Sequence, residues 1–249
     1  MTTVFDTIAE VYQEVAEETT NAVDGGSTDR FLLVGTFTIN AFGGAPNNTD
    51  ARYPTGPSPA GTGLTRIGAE LAYFFGNANQ SVWQGVGPTG ASAVYASFDG
   101  GFRQGIAALT LEGTSGYHDA TTNTGAVEDV TAVASVTVPN CVEGELVLAY
   151  VTSSSIDGFA APFTPVSGTS ILVQADDDFD SHCWIGAVAL ADGNVTLQVN
   201  ANNGSGGTNL LSWAARGLAM VDTGGGVTIV AGPLVDGAML KSKLKGLVQ

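Results

Sequence analysis

Val195-Thr196-Leu197-Gln198-Val199-Asn200 sets three aliphatic side chains against three polar ones with a period of two. An extended chain sends successive side chains to opposite faces, so this hexapeptide reads as a strand with one face in a core and the other in water. Upstream, Leu146, Leu148 and Tyr150 alternate with Val147, Ala149 and Val151. Both faces of that strand are apolar, which predicts a central or covered position. Similar runs, punctuated by Gly, Asn, Asp and Pro, predict strands near 30–40, 64–75, 81–87, 91–98, 103–112, 133–139, 144–153, 169–175, 182–190, 194–201, 209–221 and 226–231. No helical period returns beyond the N-terminus, which argues against alternating strands and helices. The many short strands predict an all-β fold, an antiparallel β-sandwich of jelly-roll-like type.

The ends and the long connections read differently. Val4, Ile8, Val11, Tyr12 and Val15 recur at helical spacing, so residues 1–24 form either a short amphipathic helix or an opening strand ahead of the sandwich. Residues 25–232 then make a single sandwich domain, and 233–249 a basic tail. Residues 41–63 and 113–131, rich in Asn, Thr, Gly and Pro, read as long exposed loops. The halves 30–112 and 133–222 open on similar strands, Phe31-Leu32-Leu33-Val34-Gly35 and Glu145-Leu146-Val147-Leu148-Ala149, but the match is too weak to establish an internal repeat.

Charge excludes whole classes of partner. The formal net charge is -16, and residues 1–240 carry five arginines and no lysine against all 24 acidic groups. Phosphate backbones and anionic lipids are bound by Lys and Arg, so neither nucleic acid nor a membrane surface is expected as a partner. Lys241, Lys243 and Lys245 are the only lysines and alternate with Ser242 and Leu244, the pattern of an assembly arm that docks on an acidic neighbour. Two cysteines, Cys141 and Cys183, do not make a disulfide framework, although one bridge is open to them. The N-terminus lacks the basic and apolar regions of a signal peptide, and no apolar run reaches the ~20 residues of a membrane span.

Candidate chemistry is sparse. In Asp176-Asp177-Asp178-Phe179-Asp180-Ser181-His182 an extended chain would align Asp176, Asp178 and Asp180, hard oxygen ligands suited to Ca2+. The run opens like an EF-hand loop, then offers Ser181 where that loop needs Gly and Ala187 where it needs Glu. A solvated acidic turn is the competing reading. His118 beside Asp119 lacks a nucleophile motif, and the Gly-rich stretches at 204–207 and 224–226 lack the Lys of a phosphate loop. Trp83, Trp184 and Trp213 could stack on sugars, but each sits in an apolar strand where core packing is the default. No catalytic residue and no organic cofactor is therefore expected, and the chain reads as a non-enzyme.

Several of these strands together resemble a known family. Thr20-Asn21-Ala22-Val23-Asp24-Gly25-Gly26-Ser27-Thr28-Asp29-Arg30-Phe31-Leu32-Leu33-Val34-Gly35, the strand Gly63-Leu64-Thr65-Arg66-Ile67-Gly68, the paired stretches 91–98 and 101–111, and Trp213-Ala214-Ala215-Arg216-Gly217-Leu218-Ala219-Met220 resemble a β-sandwich domain of bacteriophage virion proteins, also seen in some bacterial surface proteins. Val82-Trp83-Gln84 stands where that pattern has a Trp-Tyr pair, and the acidic 176–180 run has no counterpart in it. The resemblance implies a structural virion component, such as a capsid decoration, head fibre or tail-associated protein, displaying loops on the particle and assembled in the host cytoplasm. Its implied partners are other virion proteins and copies of itself. A glycan-binding module or adhesin contacting a host-surface glycan is the alternative.

Overall fold

The central strands are those whose residues are apolar on both faces. The computed structural model describes residues 2–13, 17–26, 30–40, 46–54, 61–99, 103–128, 131–155, 160–177, 180–203, 210–223 and 228–229. In chain order the first half contributes β1 (Thr3–Gln13), β2 (Glu17–Asp24), β3 (Phe31–Ile39), β4 (Asn47–Pro54), β5 (Gly61–Gly63), β6 (Thr65–Arg66), β7 (Leu71–Tyr73), β8 (Ala78–Val86), β9 (Ala91–Asp99) and β10 (Arg103–Glu112). The second half contributes β11 (Thr114–Glu128), β12 (Thr131–Cys141), β13 (Leu146–Ser155), β14 (Ala160–Pro165), β15 (Ser170–Asp176), β16 (Asp180–Val188), β17 (Gly193–Asn203) and β18 (Leu210–Asp222), followed by β19 (Thr228–Ile229). Every residue of β13 is buried, and β3 is buried from Leu32 onward. Between those extremes, β12 alternates buried and exposed, as a half-solvated strand should.

Four sheets result. The first inner sheet runs β19-β1-β10-β3-β8-β6, with β7 also on β8, and the first outer sheet runs β2-β9-β4-β5. The second inner sheet runs β11-β18-β13-β16-β15, and the second outer sheet β12-β17-β14. All pairs among the described residues are antiparallel except β1 with β19. The chain is thus an all-β, antiparallel sandwich protein.

The strand order repeats. In the first half β1-β10-β3-β8 faces β2-β9-β4, and in the second β11-β18-β13-β16 faces β12-β17-β14. With β5 beside β4, the first half has the eight-strand arrangement of a jelly roll. The second departs at its fifth strand, because β15 pairs with β16 at the inner-sheet edge instead of widening the outer sheet.

Each layer boundary has its own core. Leu32, Val34, Trp83, Val94 and Ile106 fill the first sandwich. Val136, Val138, Val147, Ile185, Leu197 and Val199 fill the second, so the alternation of Val195 to Asn200 does bury its aliphatic side. Between the inner sheets lie Leu33, Val82, Leu109, Leu146, Leu148, Trp184 and Leu218. Each fully buried aliphatic contributes roughly 1.5–3 kcal/mol of transfer free energy, so this third layer binds the halves into one body.

Three sequence expectations are corrected. Of the two readings open for the N-terminal stretch, residues 3–13 take the strand, and with β2 they belong to the sheets rather than to a segment ahead of them. A bulge between Val4 and Asp6 reverses the alternation, so Val4, Ala9 and Val11 pack toward the second half while Ile8 packs into the first sandwich. A broken period of two thereby imitates a helical one. The stretch 41–63, read as a loop, contains β4 and β5, and 113–131 contains the longest strand, β11. β5 and β11 lie at sheet edges, where Thr, Asn and Gly suffice, and β4 between β9 and β5 buries only Asn48, Ala51 and Tyr53 among its described side chains. The single strand expected near 64–75 is divided into β6, β7 and a 3-10 turn at Phe74–Gly76.

Candidate functional site

The aspartate run does not form one extended face. The chain reverses between β15 and β16: Asp177 N donates to Asp180 O, and Asp180 N donates to Asp177 Oδ1, both at 2.9 Å. Asp176 is left exposed at the end of β15 opposite Ser181, while Asp180 turns inward at the start of β16, and Asp178 lies outside the described residues. Asp176 and Asp180 therefore do not share one face. A cation does face the run: Arg103 Nη1, from β10, stands 3.6 Å from Asp177 Oδ1 and 3.4 Å from Asp180 Oδ2. Burial, then the neighbouring Asp177, pushes the Asp180 carboxyl up to about 7, opposed by a hydrogen bond from Ser154 and by Arg103.

Period-two spacing carries the same face of β16 inward from Asp180 to His182 and Trp184. His182 is fully buried, with Nε2 3.1 Å from Glu10 O and Nδ1 3.0 Å from Tyr150 Oη. A backbone carbonyl only accepts, so Nε2 carries the proton, and Nδ1 accepts from the Tyr150 hydroxyl. Burial lowers His182 to about 3 and raises the Tyr150 phenol, so this pair is neutral. Below it Trp184 Nε1 donates to Ala107 O at 2.9 Å. Gln80 Nε2, from β8, reaches Tyr150 O at 3.2 Å and Ala214 O at 3.1 Å. The bonds of His182 to Glu10 O, of Trp184 to Ala107 O and of Gln80 to Tyr150 O and Ala214 O pass from one half of the chain to the other. The Tyr150–His182 bond orients the imidazole from within the second half.

Two glycines create the space. A Cβ on Gly35 would lie 2.4 Å from Tyr150 Cδ2, and one on Gly105 would lie 2.1 Å from Phe37 Cε1 and 3.0 Å from His182 Nε2. At the other flank Arg216, on β18, is buried and donates from Nη1 to Ile67 O at 2.6 Å and from Nη2 to Ala69 O. Gly68 between those carbonyls has φ +67, the left-handed conformation that turns both toward the guanidinium. Arg103, Tyr150, His182, Gln80 and Arg216 thus form a polar seam between the halves. Sequence reading missed it, apart from His182 as a neighbour of the aspartates. The available signal was Arg216, a lone charge within Trp213-Ala214-Ala215-Arg216-Gly217-Leu218.

The remaining sequence candidates separate. His118 lies on exposed β11, with Nε2 3.0 Å from Glu145 Oε2 and Nδ1 3.3 Å from Asp119 Oδ2. Hydrogen bonding to Glu145 raises its pKa. Trp83, Trp184 and Trp213 are at most 6% exposed, and Trp83 Nε1 donates to Thr36 Oγ1, so none offers a face for sugar stacking. Cys141 and Cys183 are buried free thiols. Lys241, Lys243 and Lys245 lie outside the described residues.

No family model matches the chain, and no curated protein does. Among solved structures it is similar to the major capsid protein P2 from bacteriophage PM2, at 10% identity over 88% of this chain and 100% of that one, with a TM-score of 0.25. Vicilin from hazelnut, Corylus avellana, is similar at 8% identity over 84% of this chain and 74% of that one, also at 0.25. A secreted protein from Eubacterium rectale is similar at 13% identity over 87% and 76%, with a TM-score of 0.20. At these scores the likenesses identify neither a family nor an activity.

Proposed function

We propose that this chain is a non-catalytic structural component of a bacteriophage virion, a capsid decoration, head fibre or tail-associated piece whose partners are other virion proteins and copies of itself. The observation that carries this reading is the repeated sandwich closed through a buried seam. His182, Trp184, Arg216 and Gln80 each bond to the opposite half instead of converging on an open cleft. Such a body is stiff and orientationally defined, which suits a repeating building block. Two buried thiols suit assembly in a reducing cytoplasm. The role does not rest on displayed loops, since 113–131 is largely the strand β11.

Particles purified from lysates of the source culture test it, by quantitative mass spectrometry and immunogold labelling with antibody to this chain. The reading expects the chain in the particle fraction at a fixed stoichiometry, with gold on the particles. Recovery only from the particle-free supernatant overturns it.

A further inference from the structure

The two inner sheets are equivalent in strand order but not in how their leading edges are covered. On the first, the outer edge of β1 is paired in parallel by β19, Thr3 with Thr228 and Val4 with Ile229. On the second, β11 occupies the same position and is the edge among the described strands. It is 15 residues long and contains no Pro, Lys or Arg. Its bulges lie at the N-terminal end, and from Asp119 to Glu128 it keeps regular register with β18. Ala120, Thr122, Asn123, Thr124 and Ala126 are exposed. Proteins that keep an edge unpaired shorten it, kink it, or place Lys or Pro on it, and the run from Asp119 onward shows none of these devices.

We propose that the outer edge of β11 receives residues 240–245 of a second copy as an added strand, giving a head-to-tail assembly. Three observations select that occupant. The equivalent edge is already covered by residues of the C-terminal region, ten residues upstream of the segment. Lys241, Lys243 and Lys245 are its only charges, whereas residues 1–240 hold all 24 acidic groups. The donor and acceptor edges also lie on opposite flanks, because β1 packs against β15 and β11 against β7. Ten extended residues from Ile229 span ~33 Å, enough to leave one molecule and lie along the next. Main-chain bonds supply the affinity, and lysines on alternate positions meet an acidic partner surface. Opposite-flank edges make the contact heterologous, so copies close into a ring or extend as a filament.

This deepens the building-block reading above, and its test needs only the isolated full-length chain, so it can fail while a virion role stands. Analytical ultracentrifugation is run on wild type, on a donor-blocked Lys241→Glu/Lys243→Glu/Lys245→Glu variant, and on an acceptor-blocked Thr122→Pro variant. Thr124→Lys, at an exposed position, is a second acceptor variant should the proline disturb folding, and circular dichroism checks each. The expected result is concentration-dependent association of wild type, weakened at least about tenfold by salt near ~0.5 M and lost in either blocked variant. Mixing donor-blocked with acceptor-blocked chains should restore only one-to-one dimers, each having one intact contact. A monomeric wild type, association that survives in folded blocked variants, or a mixture that stays monomeric overturns the proposal.

Discussion

Replacing Asp180 by Asn should change how stability depends on pH, and the direction follows from two buried groups that oppose each other. The Asp180 carboxyl has a folded pKa of about 7 against an ordinary 3.8. Between those values the folded chain keeps a proton that the unfolded chain has lost. Its contribution is therefore complete below about pH 4 and is lost as pH rises through about 7, a span of roughly three units or on the order of 4 kcal/mol. His182 runs the other way: lowered to about 3 from 6.5, it is neutral when folded and charged when unfolded. Its contribution is complete above about pH 6.5 and is lost as pH falls toward 3, again on the order of 4 kcal/mol. In wild type the two slopes offset. Arg103 and Asp177 remain beside position 180 in the variant, as do Ser154 and Tyr73. Asp180→Asn removes only the falling slope, so the variant's stability relative to wild type should climb by several kcal/mol between about pH 4 and about pH 8. Urea denaturation in half-unit pH steps at constant ionic strength measures this. A relative stability flat to within about 0.5 kcal/mol across the range would refute the assignment of a proton to buried Asp180.

The other predictions test the seam and its surroundings. Gly35→Ala should destabilise by about 1–3 kcal/mol or more because the added methyl meets the Tyr150 ring, and Gly105→Ala should do likewise against Phe37; a midpoint unchanged in denaturant would contradict the close approach. Tyr150→Phe leaves His182 Nδ1 without its donor in a buried site, which should cost about 1–3 kcal/mol while far-ultraviolet circular dichroism stays unchanged. Glu145→Gln should lower the His118 pKa, since Glu145 is the largest cause of its elevation, and NMR titration of the imidazole should show it; an unchanged titration would mean that the contact is not formed in solution. Cys141 and Cys183 should resist a thiol reagent in native buffer and react together on unfolding, so fast labelling of either would contradict their burial.

How much of this was legible depended on which physical signal each residue carried. β13 was readable because Leu146 to Val151 is apolar on both faces, and only a covered strand satisfies that. β17 was readable from one clean alternation. β11 was not, because an edge strand with water around Ala120, Thr122 and Thr124 needs no apolar face and reads as a polar loop. β1 was ambiguous because the bulge after Val4 mixes two periods. The repeat was hidden for a related reason: strand order is conserved between the halves while side chains follow different neighbours. Gly35 on β3 is shaped by the Tyr150 ring, whereas its counterpart strand β13 supplies that ring. The seam was least legible, since Arg103 and Asp180 are 77 positions apart and only the fold brings them together.

The distribution of polar groups explains why two similar sandwiches make one defined object. Apolar contacts between the inner sheets, such as Leu33, Leu109, Leu148 and Leu218, favour closure but tolerate sliding, because aliphatic surfaces are non-directional. The seam removes that freedom. Trp184 must find Ala107 O, Arg216 must find Ile67 O and Ala69 O, and His182 must fit between Glu10 O and Tyr150. A slip of one residue would bury these donors unpaired, at about 1–3 kcal/mol each and more for the guanidinium. Apolar area thus supplies the attraction and hydrogen bonds supply the register. Fixed register also holds β1 and β11 on opposite flanks, and a head-to-tail contact between copies needs just that constancy: small angular errors within one subunit would accumulate along a ring or filament until it could not close or extend.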